Sequence, residues 1–296
     1  TGLRYEHINF EYFSDGIKDS EASQSFDDIF PSASIATRIG NIQTMLSYSE
    51  KIRRPTYYEL RNAVNYASRY HREYGDPKLK PSIIHSISLM SSWKFIQFVA
   101  SFTNHINYIA NWQTVEQTQP EVEKVIPINI NKLPILGIQL AAAPKFGIYN
   151  PNLKIMFQKQ WLNSVSEHVE KECSKPTCNI TFENTISFNK GWNFEANCNY
   201  HSKGNYQYVY LSRDYFNFEV YIEKSLLKDA LSVEIGVTDI FYQIRNDVRL
   251  NTETGYLDIH KKSDSREFSL TVKYKFNPAK SKYKGTGAGN DEKQRM

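Results

Sequence analysis

The sequence predicts an all-β chain folded as an antiparallel transmembrane β-barrel, with long loops at one end and short turns at the other. Three observations carry this. Apolar and polar residues alternate strictly over runs of about nine to twelve residues, where strands of soluble sheets average roughly five or six and barrel strands need about nine to eleven. The links between the runs are alternately very short and long and polar, which trims one end of the sheet and loads the other. Aromatic residues stand at run ends (Trp93, Tyr108, Trp161, Phe188, Trp192, Tyr200, Phe241, Phe276), where a membrane barrel carries interfacial girdles.

About twelve strands follow in order, near 1–13, 29–40, 41–52, 83–93, 94–110, 125–143, 152–163, 178–189, 192–204, 212–226, 230–243 and 264–276. In 94–110, Ile96, Phe98, Ala100, Phe102, Ile106 and Tyr108 oppose Gln97, Ser101, Thr103, His105 and Asn107. In 178–189, Phe182, Asn184, Ile186 and Phe188 oppose Thr181, Glu183, Thr185 and Ser187. In 192–204, Trp192, Phe194, Ala196, Cys198 and Tyr200 oppose four polar residues. In the closing run Phe268, Leu270, Val272, Tyr274 and Phe276 oppose Ser269, Thr271, Lys273 and Lys275. Tight turns are expected at Gly40–Asn41, Ser92–Trp93, Lys190–Gly191 and Lys228–Asp229, and polar loops over 14–28, 53–82, 111–124, 164–177, 205–211 and 244–263. The apolar face would meet lipid and the polar face a lumen, with every backbone group paired within the barrel. A soluble sandwich, which would bind glycans as a module, shows the same in-and-out alternation but not the strand length or loop asymmetry.

Composition sets further bounds. Aromatic residues make up 14% of the chain, with 20 Tyr and 17 Phe, and these favour strands. The net charge is +4, of which the tail 277–296 supplies +3. The remainder has no basic stripe, so nucleic acid is not an expected partner. No catalytic grouping, phosphate loop or nucleophile elbow stands out. The glutamates of the polar face (Glu183, Glu195, Glu219, Glu223, Glu234) read as hydrated lumen charges, so an enzyme is not expected. No cofactor and no metal set is indicated. The chain opens at Thr1 inside a strand-like pattern and reads as a fragment or a processed product. Residues 1–276 read as barrel, and 277–296 as a mobile polar extension.

Two stretches go beyond periodicity. In 42–83 a strand leads through Arg53-Arg54-Pro55 into an aromatic, polar loop and then Gly75-Asp76-Pro77-Lys78-Leu79-Lys80-Pro81 before the next strand. Near the end, Asp239-Ile240-Phe241 precedes the closing strand. These resemble the TonB-dependent receptor-like outer-membrane β-barrels, of the type with an N-terminal carboxypeptidase-regulatory-like domain, whose polar tail SKYKGTGAGNDEKQRM also resembles. The resemblance implies the C-terminal half of a barrel of about 22 strands in a Gram-negative outer membrane. It further implies TonB-dependent uptake of a scarce, unnamed solute, with a plug upstream that contacts the TonB complex. Outer-membrane lipid, the barrel-insertion machinery and a surface lipoprotein are the other implied partners. A passive porin or an adhesin is the alternative.

Within this frame Arg53, Arg54, Tyr57, Tyr58, Tyr66, Arg69, Tyr70, His71 and Arg72 crowd one outer loop. Tyr and Arg are common binding anchors, so the loop is a candidate for substrate contact; a loop folded on itself is the plainer reading. The alternation Phe268, Leu270, Val272, Tyr274, Phe276 resembles the signal read by the insertion machinery. Cys173 and Cys178 enclose four residues, and a small loop disulfide between them is expected.

Overall fold

The computed structural model describes residues 1–276 apart from 15, 117, 120, 163, 167–168, 171 and 253–254. The tail 277–296 lies outside the described residues.

The elements run β1 (Gly2–Ser14), β2 (Ile17–Ile39), β3 (Ile42–Arg53), α1 (Tyr57–Leu60), β4 (Asn65–Ser68), β5 (His71–Glu73), β6 (Ser82–Trp93), β7 (Ile96–Val115), β8 (Glu123–Ala142), β9 (Tyr149–Gln160), β10 (Ser164–Ser166) and β11 (Val169–Glu170). There follow β12 (Thr177–Phe188), β13 (Trp192–His201), β14 (Gly204–Tyr206), β15 (Val209–Leu211), β16 (Tyr215–Leu226), β17 (Leu231–Thr238), β18 (Asn246–Thr252), β19 (Gly255–Lys261) and β20 (Glu267–Tyr274). One path of antiparallel neighbours, β1-β2-β3-β6-β7-β8-β9-β12-β13-β16-β17-β20, contains the predicted strands in the predicted order. No helix of the described residues is long and apolar enough to cross a membrane.

Register puts like with like. Ile186, Phe194, Ile222, Ile235 and Leu270 form one cross-strand row on the apolar face. One residue along, Thr185, Glu195, Tyr221, Gly236 and Ser269 form a row on the polar face. A slip of one residue would exchange the two faces, so the hydrophobic pattern fixes the register. A Cβ on Gly236 would lie 2.5 Å from the Tyr221 ring, so only glycine leaves room for that ring across the strand. Cys198 lies on the apolar row between Phe182 and Phe218, as expected of a small residue there.

Burial is inverted relative to a soluble protein. The large hydrophobics of the apolar face stay exposed, Phe268 at 78% and Leu270 at 69%, while the buried apolar residues gather at the long-loop end. Phe268, Leu270, Val272, Tyr274 and Phe276 of the closing strand are all exposed, as a face meeting lipid requires.

The structure corrects the sequence reading in four places. The 14–28 and 111–124 loops are largely strand: β1 and β2 pair as far as Ser14–Ile17, past an irregularity between Phe10 and Tyr12, and β7 and β8 pair as far as Val115–Glu123. Above a bilayer both faces of a hairpin are wet, so the period-two signal vanishes while the pairing continues. The other long loops also carry structure: α1, β4 and β5 lie within 53–82, and β14, β15, β18 and β19 form a separate four-stranded sheet. The tight turn after β6 falls at Lys94–Phe95, because β6 runs on to Trp93. Finally, Cys173 and Cys178 are not joined. Cys173 is buried in the core of the long-loop end, and Cys178 sits on the apolar face of β12 opposite Phe157, so the strand start separates the two thiols.

Candidate functional site

The site is built on the β7–β8 hairpin, which, like β1–β2, extends past the other strands and receives loops on both of its faces. On one side Ala110, Trp112, Ile130 and Leu133 pack with Leu162, Cys173, Tyr208 and Leu250 from three other loops. Trp112 meets Tyr208 edge-on at 5.6 Å between ring centroids. Burial pushes the Tyr208 phenol up to about 12. Gln160, 1% exposed at the end of β9, bolts the loops together: its Nε2 donates to the Cys173 carbonyl at 2.6 Å and to the Gln207 carbonyl, and its Oε1 accepts from the Gln207 amide at 2.8 Å.

On the other side Ile109 packs with Leu60 and Leu79 of the 54–81 loop, with Phe10 against them. Local chemistry explains this loop. Thr56 caps α1, accepting from the Glu59 amide while Glu59 accepts from the Thr56 amide, a capping box. Asp76 Oδ1 accepts from the Lys78 amide at 2.9 Å, closing the turn that drops Leu79 into the core. A Cβ on Gly75 would collide with the backbone of Arg61, so the Gly-Asp-Pro stretch is a packing requirement. Asn129 of β8 then holds Lys80, accepting from its amide at 2.8 Å and donating to its carbonyl at 2.9 Å.

β5 runs parallel to β8, with His71 opposite Glu123. His71 Nδ1 lies 2.6 Å from Glu123 and its Nε2 lies 3.4 Å from Glu73. The hydrogen bond to Glu123 raises the His71 pKa, opposed by burial and aided by Glu73. The sign follows: the clasp is fully held below the ordinary imidazole pKa of about 6.5 and weakens as pH rises through the raised value. Amide protection of 70–74, corrected for intrinsic exchange, is therefore expected to fall between mildly acidic and alkaline pH, and His71→Gln to remove that dependence. A pH-independent protection in the unmodified protein would contradict it.

The nine loop residues separate into two groups. Arg53 is held by Glu59 at 2.6 Å, Arg54 by Glu6 at 2.5 Å, and Arg72 by Glu116 at 3.2 Å and Gln119 at 2.9 Å. With His71, these cations tie the loop down. Tyr57, Tyr58, Tyr66, Arg69 and Tyr70 are exposed on the crown. Tyr58 stacks under Arg61 and its hydroxyl donates to Glu73; Arg72 lies over Tyr66 and Arg69 over Tyr70.

On the polar face below the lobe lies a cavity of about 290 Å³, lined by Thr103, His105, Tyr108, Gln158, Gln160, Tyr206 and Gln207 together with Leu133 and Ile135. The lining holds no Asp, Glu, Lys or Arg and mixes hydrogen-bonding groups with aliphatic ones, which suits an uncharged, partly apolar solute. Alternation places Thr103 and His105 here but assigns Tyr108 to the apolar face. Asn107 between them has a φ of 52° and turns Tyr108 back, so that its ring meets His105 edge-on at 5.2 Å. Asparagine tolerates that left-handed backbone better than most residues, a signal too weak to read alone. Among the described residues no group of His, Cys, Asp and Glu is arranged to hold a metal.

A family model described as "Outer membrane protein beta-barrel family" matches residues 1–274. The chain belongs to that family. It is therefore an outer-membrane β-barrel of a Gram-negative bacterium, from a family of barrels and not of enzymes. The long-loop end is then the extracellular end, the short turns are periplasmic, and the polar face lines the lumen. No curated protein sequence matches the chain. Among solved structures it is similar to the siderophore receptor PirA from Pseudomonas aeruginosa, with a TM-score of 0.58 at 11% identity over 83% of this chain and 42% of that one. It is also similar to the FrpB iron transporter from Neisseria meningitidis (0.58, 14%, 86% and 39%) and to the ferric-catecholate import receptor Fiu from E. coli K12 (0.56, 12%, 91% and 40%). The chain thus spans about two fifths of the length of these barrels, and the likeness is one of fold.

Proposed function

We propose that this chain is the C-terminal half of the barrel of a TonB-dependent outer-membrane receptor, about 12 of some 22 strands, which captures a scarce solute at its extracellular loops and passes it through a plugged lumen. The observation that carries the reading is the extracellular lobe: two loop cores packed on one hairpin, above an uncharged cavity on the lumen side. A pore for passive diffusion has little use for a pre-organised pocket, whereas a receptor binds more tightly for having one. The crown residues Tyr57, Tyr58, Tyr66, Arg69 and Tyr70 make the first contact with solute, and Arg53, Arg54, His71 and Arg72 hold the loop in shape behind them. The plug and the TonB-contacting segment belong to sequence upstream, as does the N-terminal carboxypeptidase-regulatory-like domain, and a surface lipoprotein is a further partner. Phe268, Leu270, Val272, Tyr274 and Phe276 serve the insertion machinery.

The full-length protein in a planar bilayer is expected to be closed, with no steady ionic conductance. A steady open conductance would make it a passive porin and sink the proposal.

A further inference from the structure

A second cavity, of about 370 Å³, lies between the roots of the last two extracellular loops. Its floor is the outer end of the lumen wall. His201 and Tyr215 pair across β13 and β16 and stack at 5.4 Å with rings 9° from parallel. Both follow the polar rows of Asn199 and Asn217, so the cavity opens at the mouth of the lumen and away from lipid. Its charged walls are Arg213, Arg245 and Lys261, with Asp247 as the one carboxylate among the lining residues. Asp247 lies 3.8 Å from Arg213 and 3.2 Å from His260, and so is shared. Three cations against one carboxylate leave the lining with an excess of positive charge.

Arg245 lines the cavity beside Arg213 and Lys261. Its Nε is shielded and makes no hydrogen bond among the described residues, a condition it shares with Arg54 and Arg72 of the first long loop. What sets Arg245 apart is the company of two more cations around one cavity, and a guanidinium placed there pairs best with an oxyanion, for which its fork is shaped. Arg249, in the same loop as Arg245, is by contrast satisfied, binding Asp258 through two hydrogen bonds at 2.7 and 2.8 Å.

We propose that this cavity is an anion subsite, in which Arg245, Arg213 and Lys261 hold a carboxylate or phosphate group of the incoming solute at the mouth of the lumen. The assignment rests on the receptor reading above and adds to it the charge of the cargo. The uncharged cavity beside Tyr206 and this cationic one together describe a solute with an uncharged, partly apolar body and an acidic group. A lipid headgroup is a poor fit, because the cavity opens on the lumen side of the wall.

Inorganic phosphate is the probe, titrated calorimetrically into the detergent-solubilised full-length protein at low ionic strength. Phosphate is expected to bind, with affinity falling as salt rises. Loss of one charge-assisted contact should weaken it roughly tenfold or more in Arg245→Gln. Arg213→Gln, altering a half-exposed side chain, should weaken it in the same direction without risk to the fold. Arg249→Gln removes the same charge from the same loop and should leave binding unchanged. Equal losses in all three variants, or no binding by the unmodified protein at tens of millimolar phosphate, would overturn the subsite. This equilibrium measurement needs neither plug movement nor TonB, so its failure leaves the conductance result untouched, and an open conductance leaves the phosphate result standing.

Discussion

Ile235→Arg is expected to block stable membrane assembly, at a cost of about 2–4 kcal/mol for an arginine near the bilayer midplane on the lipid face. Ile235 lies mid-strand in β17, 59% exposed, in the row of Ile222 and Leu270. In water such a change at an exposed position would be near neutral. The size of the effect therefore measures the lipid itself. Asn193→Arg is the matched control: Asn193 is on the polar face, opposite Glu223, where a new cation finds a partner. Heat-modifiable migration in electrophoresis and refolding yield into lipid vesicles report the outcome. Equal tolerance of the two variants would mean that the apolar face does not meet lipid.

Trp112→Ala is expected to dismantle the extracellular lobe while sparing the barrel. Truncating a buried Trp costs roughly 3–5 kcal/mol, through lost transfer energy and an unfilled cavity. Trp112 is 5% exposed and is the largest side chain in its cluster. The partner ring supplies the readout. Burial holds the Tyr208 phenol up at about 12, so in the variant it should titrate nearer the ordinary value of about 10. The difference spectrum against Tyr208→Phe in each background isolates that one phenol. Protease sensitivity of 161–176 and 204–211 should rise in parallel. An unshifted Tyr208 would show that the lobe does not depend on this contact.

The contrast between these two variants also marks what the sequence disclosed. Residues such as Ile235 and Asn193 are legible because lipid and lumen impose opposite demands on successive residues, and a strict period of two survives in the text. The twelve strands and their order were readable for that reason. Trp112, Gln160 and Asn107 are not legible in the same way. Trp112 and Gln160 act through loops far away in the chain, and Asn107 acts through one backbone angle. The crowded loop was visible as a cluster of Tyr and Arg, but the division between cations that tie it down and aromatics exposed on the crown depends on Glu6, Glu116 and Glu123, which lie well away from it in sequence. The two cysteines misled because nearness in sequence is not nearness of side chains once a strand begins between them.

One further consequence comes from the parallel pairing of β5 with β8, among strands that otherwise run antiparallel. An antiparallel neighbour can form as the chain turns back on itself, but β5 precedes its partner by some fifty residues and reaches it only by leaving the sheet, bypassing β6 and β7, and returning from above. Long-range closures of this kind come late, because the loop entropy must be met before the contact is gained. The β7–β8 hairpin must therefore stand before the 54–81 loop can settle on it. Assembly then runs in two stages, a wall completed in the bilayer and a roof laid afterwards outside it. A receptor caught between the stages would be inserted, resistant to extraction and blind to its solute.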